Sequence, residues 1–398
     1  MPKLLQINTT ANWGSTGKIA EDIAKLAINK GFESWMAYGR GNPKSVSNLI
    51  RIGNDFDMKL HGIQTRILDN HGLASKKVTK DFLEKIGKIN PDIIHLHNIH
   101  GYYINYPLLF DFLKKWGGPV VWTLHDCWPF TGHCAYYTFK ECYNWKTQCQ
   151  NCPQLNTYPI SLWKDRSYNN YNDKKEAFSG LKNLTLIPVS NWLAKQIKES
   201  FLKDYPIKVI HNGIDLEIFK PSENKNYDQG KFSILGVASV WDYRKGLEEF
   251  IRLRNLLPDN YKITLAGLSK KQIDSLPQGI EGISRTENVG QLVKLYRDSD
   301  VYVNPTLEDN FPTTNLEALA CGTPVLTYNT GGSPEAIDDK TGIIVDYKNI
   351  QQLSEKIRYV CENKSFNAIE CRQRAINLFD KDKNFKKYID LYQSLLEI

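Results

Sequence analysis

The sequence predicts an α/β protein of two doubly wound domains, each a parallel sheet covered by helices on both faces. Three observations lead there. Short apolar runs alternate with longer amphipathic segments, first over about residues 3–205 and again over about 230–375. That alternation is the signature of parallel strands joined by crossover helices. A polar stretch, Ser222–Gly230, separates the two halves and reads as a linker or exposed turn. The 398 residues suffice to bury more than one core. The expected parts are residues 1–205, 206–375 and a C-terminal segment 376–398.

In the first half the expected strands are Lys3–Ile7, Glu33–Tyr38, Ile93–Leu96, Pro119–Leu124 and Leu184–Val189. Helices are expected at Gly17–Lys30, Lys80–Ile89, Leu108–Lys115 and Asn191–Phe201. In the second half strands are expected at Phe232–Val237, Lys262–Leu265, Val301–Asn304, Pro324–Tyr328 and Gly342–Val345. Its helices are expected at Leu247–Leu257, Val289–Ser299, Thr313–Ala320, Pro334–Asp338 and Leu353–Cys361. The tail from about Ile369 is helical in pattern, with Phe385, Tyr388, Ile389, Tyr392 and Leu395 on one apolar face. Such a face docks onto a domain. Ligands of doubly wound sheets bind beyond the C-terminal ends of the strands, so the loops there are the places to look.

Composition excludes several classes. The chain is 41% hydrophobic and 24% charged, with 26 Gly and 17 Pro, which is ordinary for a globular protein. No run of 18 apolar residues and no secretory leader is visible, so a cytoplasmic setting is expected. The net charge of +7 (51 Lys and Arg against 44 Asp and Glu) suits an anionic ligand or surface. A nucleic-acid partner is not expected, because the basic residues form no stripe and no reader motif is present. Eight cysteines are too few for a disulfide scaffold, yet five fall between Cys127 and Cys152.

Six constellations carry chemistry. Gly14-Ser-Thr-Gly17-Lys18 follows the first strand, but Ile19 stands where a Walker A loop needs Ser or Thr. What remains is a pair of glycines before a helix, either a binding loop or a tight turn. His95, His97 and His100 match no zinc spacing and read as a hydrogen-bonded edge. His125 and Asp126 end a strand, where catalytic groups collect; Asp126 could orient His125, or His125 could meet a sugar hydroxyl. Cys134, Cys142, Cys149 and Cys152 include one CxxC pair in an insert over about 127–155, and structural zinc is favoured over free thiols. Ser239, Arg244 and Lys245 lie between a strand and a helix, as a diphosphate site requires. Glu308 and Asp309 follow a strand, and Glu317 sits on the next helix in an apolar surround where a carboxylate must be paired.

In this order and spacing the motifs resemble the retaining glycosyltransferases of family 4, which have the GT-B fold of two facing Rossmann-like domains. The resemblance spans nearly the whole chain. It rests on the Gly14–Gly17 loop, His125, His211-Asn-Gly-Ile-Asp215, Arg244-Lys-Gly246, the acidic segment ending at Glu317, Cys321-Gly-Thr-Pro-Val325 and Gly331-Gly-Ser-Pro-Glu335. The family has two glutamates with seven residues between them; here Asp309 stands in register with Glu317, and Glu308 is one residue early. The stretch from His95 through Trp128-Pro-Phe-Thr-Gly132 to the cysteines resembles bacterial enzymes that assemble capsular, exopolysaccharide or lipopolysaccharide chains.

The resemblance implies a nucleotide-sugar donor, with UDP favoured over GDP, held mainly by the second domain. Arg244 and Lys245 would hold its diphosphate and Glu317 its ribose. Asp309 or Glu308, with the backbone of Asn310 and Phe311, would address the sugar. Gly14 and Gly17 would line the diphosphate from the first domain, and His125 would contact the transferred sugar. No catalytic metal is expected. The acceptor would be a saccharide on a lipid diphosphate, and the C-terminal helix would return to the first domain. Lys76–Lys80 with Arg51, Lys59 and Arg66 would rest on an anionic membrane. Alternatives are an inverting transferase or epimerase, with His125 or Asp126 as base, and a saccharide- or nucleic-acid-binding protein.

Overall fold

The computed structural model describes residues 1–222 and 230–397; the stretch expected as a linker lies, from 223 to 229, outside the described residues. The chain forms two compact units, Met1–His211 with Phe385–Ile398, and Asn212–Asn384.

The first unit holds β1 (Lys3–Thr10), β2 (Glu33–Arg40), β3 (Asn48–Arg51), β4 (Ile93–Leu96), β5 (Val120–Leu124) and β6 (Leu184–Pro188). They pair in parallel in the order β3-β2-β1-β4-β5-β6. Every residue of β4 and β5 is buried, as expected of central strands covered on both faces. The helices are α1 (Gly14–Asn29), α2 (Asp55–Leu68), α3 (Lys76–Ile89), α4 (Tyr106–Trp116), α5 (Ser167–Phe178) and α6 (Asn191–Lys198).

The second unit holds β7 (Phe232–Val237), β8 (Tyr261–Ala266), β9 (Ile280–Ile283), β10 (Val301–Asn304), β11 (Val325–Tyr328) and β12 (Gly342–Val345). Their order is β12-β11-β10-β7-β8-β9, again all parallel. Its helices are α7 (Leu247–Arg254), α8 (Lys270–Asp274), α9 (Val289–Asp298), α10 (Thr313–Ala320), α11 (Ile350–Asn363) and α12 (Ala368–Leu378). Counted from its own first strand, each sheet has the 3-2-1-4-5-6 order of the dinucleotide-binding fold.

A last helix, α13 (Lys381–Leu396), belongs to the first unit from Phe385 onward. There Phe385, Tyr388, Ile389 and Tyr392 share one core with Ile19 and Ile23 of α1 and with Leu4, Ile93, Val121 and Ile187 of the sheet. Two phenols tie it down: Tyr388 accepts from Thr123 Oγ1 at 3.1 Å, and Tyr392 meets His95 Nδ1 at 2.6 Å.

Several elements differ from expectation. Strands β3 and β9 each carry one buried residue, Ile50 and Ile280, too little alternation for a strand signal. Helix α2 was not anticipated because its outward face is itself apolar, which blurs the period. The tail is two helices broken at Phe379–Asp380, where the Phe379 carbonyl instead accepts from Ile214 N–H. Ser333–Ala336 forms a 3₁₀ turn in place of the expected Pro334–Asp338 helix.

Candidate functional site

In such sheets the strand order reverses beside the first strand, and the loops leaving the two flanking strands diverge to leave a crevice. In the second unit those strands are β7 and β10, paired through Val301–Ile234 and Tyr302–Leu235. The loop after β7 carries Ser239, exposed, and then a 3₁₀ turn, Tyr243–Lys245, capped by the Asp242 carboxylate. The loop after β10 carries Glu308 to Phe311 and leads into α10. Backbone bonds stitch the two loops together: the Arg244 carbonyl accepts from Leu307 N at 2.6 Å and from Thr306 Oγ1 at 3.0 Å.

The charged side chains meet across this seam. Lys245 Nζ lies 2.5 Å from Asp309 Oδ2. Arg244 is held by Asp242, with Nε and Nη2 each 3.1 Å from Oδ2, and Nη1 reaches the Glu308 carbonyl at 3.4 Å. The Glu308 carboxylate is fully buried and accepts from Tyr243 OH at 3.2 Å. The two neighbouring acids thus have different tasks: Glu308 is an internal support, and Asp309 is the one facing the lysine. Phe311 N–H points at Asp309 Oδ1 from 3.3 Å. Glu317, one turn into α10 and half-buried, accepts from Tyr296 OH at 2.7 Å. Burial pushes the Tyr302 phenol up, and Glu317 and Asp309 add to that, so both acids border the same residue of β10. Sequence reasoning missed Tyr243 and Tyr296, since a phenol gives no signal until its acid is placed.

In the first unit the strands at the reversal are β1 and β4, in register from Leu4–Ile93 to Ile7–Leu96. The glycine loop expected before the helix is instead the start of α1. A Cβ on Gly17 would come within 2.7 Å of Thr10 Oγ1, so this glycine lets the helix approach the end of β1.

Of the two readings left open for His125 and Asp126, a hydrogen bond by which Asp126 orients His125 is not among the partners found. Asp126 Oδ2 lies 2.8 Å from His100 Nε2, and His125 Nε2 lies 3.3 Å from His97 Nδ1. The two residues leave the end of β5 in succession and take different histidines as hydrogen-bond partners. Burial holds the His125 imidazole down at about 4, with Asp126 pulling it up and His100 pushing it down. The Asp126 carboxyl is lowered: His100 and the Trp128 amide outweigh its burial. His100 Nδ1 reaches Tyr158 OH at 2.8 Å, and the ring of His71 stands 5.5 Å from that of Trp128. His95 bonds Thr123 and Tyr392, as the expected hydrogen-bonded edge implies. His71 and Tyr158 were not anticipated; nothing in their local sequence marks them.

The cysteine-rich segment lies beside this cluster. His133 Nδ1 bonds Asp69 Oδ1 at 2.6 Å, and Asp69 Oδ2 also accepts from Arg166 N at 2.8 Å. Lys174, fully buried on α5, donates to the carbonyls of Trp128 and Thr131 at 2.7 and 2.9 Å and lies 3.7 Å over the Trp128 ring. Cys134, Cys142, Cys149 and Cys152 are all free thiols. Among the described residues, no three His, Cys, Asp or Glu side chains already stand so as to hold a metal ion. Among those residues, too, no helix is long and apolar enough to cross a membrane.

Comparison with known proteins shows the family and the fold. A model of Glycosyltransferase Family 4 matches residues 21–218, and one of Glycosyl transferases group 1 matches residues 219–378. The chain is 24% identical to a putative colanic acid biosynthesis glycosyl transferase of Escherichia coli (strain K12), over 98% of this chain and 100% of that one. It is 25% identical to the UDP-Gal:alpha-D-GlcNAc-diphosphoundecaprenol alpha-1,3-galactosyltransferase of Escherichia coli, over 49% of this chain and 56% of the relative. The solved sucrose-phosphate synthase from Thermosynechococcus elongatus superposes with a TM-score of 0.74 at 16% identity, with 100% of both chains covered. Two family models that together span residues 21–378, and a doubly wound sheet in each unit, make this chain a glycosyltransferase of the GT-B fold, belonging to glycosyltransferase family 4.

Proposed function

We propose that this enzyme transfers a sugar, with retention of anomeric configuration, from a UDP-sugar to a saccharide carried on a lipid diphosphate, in assembly of a bacterial surface polysaccharide. The observation that carries the reading is the seam between the loops after β7 and β10, where Lys245 meets Asp309 and Arg244, held by Asp242, reaches the Glu308 carbonyl. Two cations beside a strand-order reversal suit a diphosphate, and the leaving group of a nucleotide-sugar is one. On donor binding, Lys245 exchanges the Asp309 carboxylate for phosphate oxygens. Arg244 stays aligned by Asp242 and stabilises the charge that grows on the leaving diphosphate. Asp309, with the Asn310 and Phe311 amides, addresses the sugar, and Glu317 the ribose.

In this reading the anomeric carbon–oxygen bond of the donor breaks as the acceptor hydroxyl attacks from the same face. The departing phosphate oxygen takes the hydroxyl proton. No protein base is required, and His125 is poorly suited to be one: an imidazole held near 4 is a weak base at neutral pH. Its place is against a hydroxyl of the transferred sugar. The UDP and lipid-diphosphate assignments draw on the galactosyltransferase relative, whose name states both. The surface-polysaccharide role draws on the colanic acid relative.

An anionic membrane at the inner face of the cell is the proposed resting place of the first unit. Phe56, Leu60, Ile63 and Ile67 form one outward stripe of α2, exposed by 72, 45, 52 and 39%. Leu162, bonded through its N–H to the Arg66 carbonyl, brings exposed Trp163 beside it. Lys59, Arg66, Lys76, Lys77 and Lys80 are exposed around this face. Apolar wedge and basic rim together match a bilayer surface. Structural zinc on the four cysteines is a separate reading and has no part in the transfer step.

The deciding experiment incubates the enzyme with UDP-sugars and a synthetic undecaprenyl-diphosphate saccharide and reads the product by NMR. An α-linked product from an α-linked donor is expected. A β-linked product overturns retention, and turnover with GDP-sugars alone overturns the donor.

A further inference from the structure

The segment 131–154 is poor in aliphatic side chains, yet it is tightly placed, and the way it is placed points to an ion. All four cysteines, Cys134, Cys142, Cys149 and Cys152, line a single small cavity of about 10 Å³. That is room for about one water-sized atom. Of eight buried side-chain polar atoms without a partner among the described residues, four belong to residues lining this cavity. Trp145 Nε1 and Ser167 Oγ are donors with nothing to donate to, in residues at most 1% exposed. His133 Nε2 has no partner either, but with Nδ1–H given to Asp69 it is an acceptor in the neutral ring; the residue is 2% exposed. Gln154 Oε1, the fourth, is an acceptor and has no proton to offer a sulfur.

Orphaned buried donors cost about 1–3 kcal/mol each, and two facing one cavity call for a common cause. Neutral thiols are weak acceptors, whereas thiolates are strong ones. One backbone donor is already in place: Gly132 N–H points at Cys149 Sγ from 3.2 Å. A Cβ on Gly132 would meet the Ser167 carbonyl at 2.2 Å and Cys149 Cβ at 2.6 Å, so only glycine permits that approach. The charge around the segment agrees. Lys174 is buried with no carboxylate within ion-pair distance among the described residues, and its amine is held by the Trp128 and Thr131 carbonyls. A surround of unused donors and a buried ammonium is built for anions. Four anions sharing one cavity need a cation between them.

We propose that Cys134, Cys142, Cys149 and Cys152 hold one zinc ion as thiolates, with Trp145, Ser167 and Gly132 donating to their sulfurs and the Asp69–His133 pair supporting the rim. Four protein thiolates leave no open position, so the site is structural. Binding draws the sulfurs to about 2.3 Å from the metal, and four thiol protons leave as the ion enters. The site then braces the loop that carries Trp128 and the buried Lys174 contacts beside the histidine cluster. This deepens the structural-zinc reading and is independent of the transferase reading, since its test involves no substrate.

The test is metal analysis of full-length protein purified without chelator, followed by displacement of the metal with an organomercurial in the presence of a zinc indicator. About one zinc per chain, released in step with four thiols, is expected. Four thiols that react freely with no metal released overturn the proposal. In Cys149→Ser the zinc content should fall below about a tenth of wild type. His133→Ala should keep zinc but bind it roughly 10–100-fold more weakly, as loss of an outer partner does. Should a cysteine variant keep zinc while His133→Ala loses it, the four-thiolate set is wrong. If the variants do not fold, the wild-type displacement decides alone.

Discussion

At residue scale the seam turns on which acid faces Lys245. Glu308 is enclosed against Tyr243, and Asp309 takes the ammonium at 2.5 Å. Lys245→Ala removes one of two charges aimed at the leaving diphosphate. It should lower kcat about 10²–10³-fold, the usual effect of losing one such donor. Single-turnover kinetics with a saturating donor would read this, and an unchanged kcat would remove Lys245 from the chemistry. His125 supplies a second check. Its charged form is disfavoured down to about 4, so it stays neutral from pH 5.5 to 8. A His125→Gln variant should be slower by the same factor across that range. A wild-type step near 6.5 that the variant lacks would restore the general-base alternative.

At element scale two helices do work that a strand–helix pattern does not reveal. Helix α13 inserts Tyr388 and Tyr392 under the sheet, and Tyr392 OH is the partner of buried His95 Nδ1. Tyr392→Phe leaves that nitrogen unpaired and should cost about 1–3 kcal/mol of unfolding free energy, measured in urea. A loss below a few tenths would mean that water replaces the phenol. Helix α2 does the reverse and turns Phe56, Leu60, Ile63 and Ile67 outward. Replacing Phe56 and Ile63 together by Ser should cut sedimentation with phosphatidylglycerol vesicles several-fold while leaving Tm nearly unchanged, because both side chains are already largely exposed. Equal sedimentation of variant and wild type would move the membrane face elsewhere.

For the whole molecule, pH is the informative variable. His61 and His125 are held near 4, and His71, His95 and His97 are also lowered, in each case mainly by burial. In the unfolded chain each titrates near 6.5. Between those values the unfolded state binds more protons, so stability rises with pH up to about 6.5 and is lost as pH falls toward 4. Each such group contributes at most about 1.4 kcal/mol per pH unit. Calorimetry should show Tm level from pH 7 to 8 and falling steadily from 6.5 to 4.5. A flat Tm down to 5 would show that these histidines carry protons in the folded state.

How much of this was legible in the sequence varies with range. The central strands β1, β4, β5, β7 and β10 announce themselves as compact apolar runs, because both faces of each are covered. The charged motifs at Arg244–Lys245 and Glu308–Glu317 stand out because polar residues follow directly on buried strands. These local periods and their order determine two parallel sheets and the family. Edge strands β3 and β9 stayed hidden, since a strand covered on one face needs few apolar residues. Side-chain partners lay beyond reach altogether. That Asp126 hydrogen-bonds His100, that Glu308 turns to Tyr243, and that Asp69 anchors His133 from 64 residues away depend on strands and loops brought together from distant parts of the chain. A sequence records which groups a chain owns and with what local period. Which two of them share a hydrogen bond is decided only when the sheet order brings their loops to the same end.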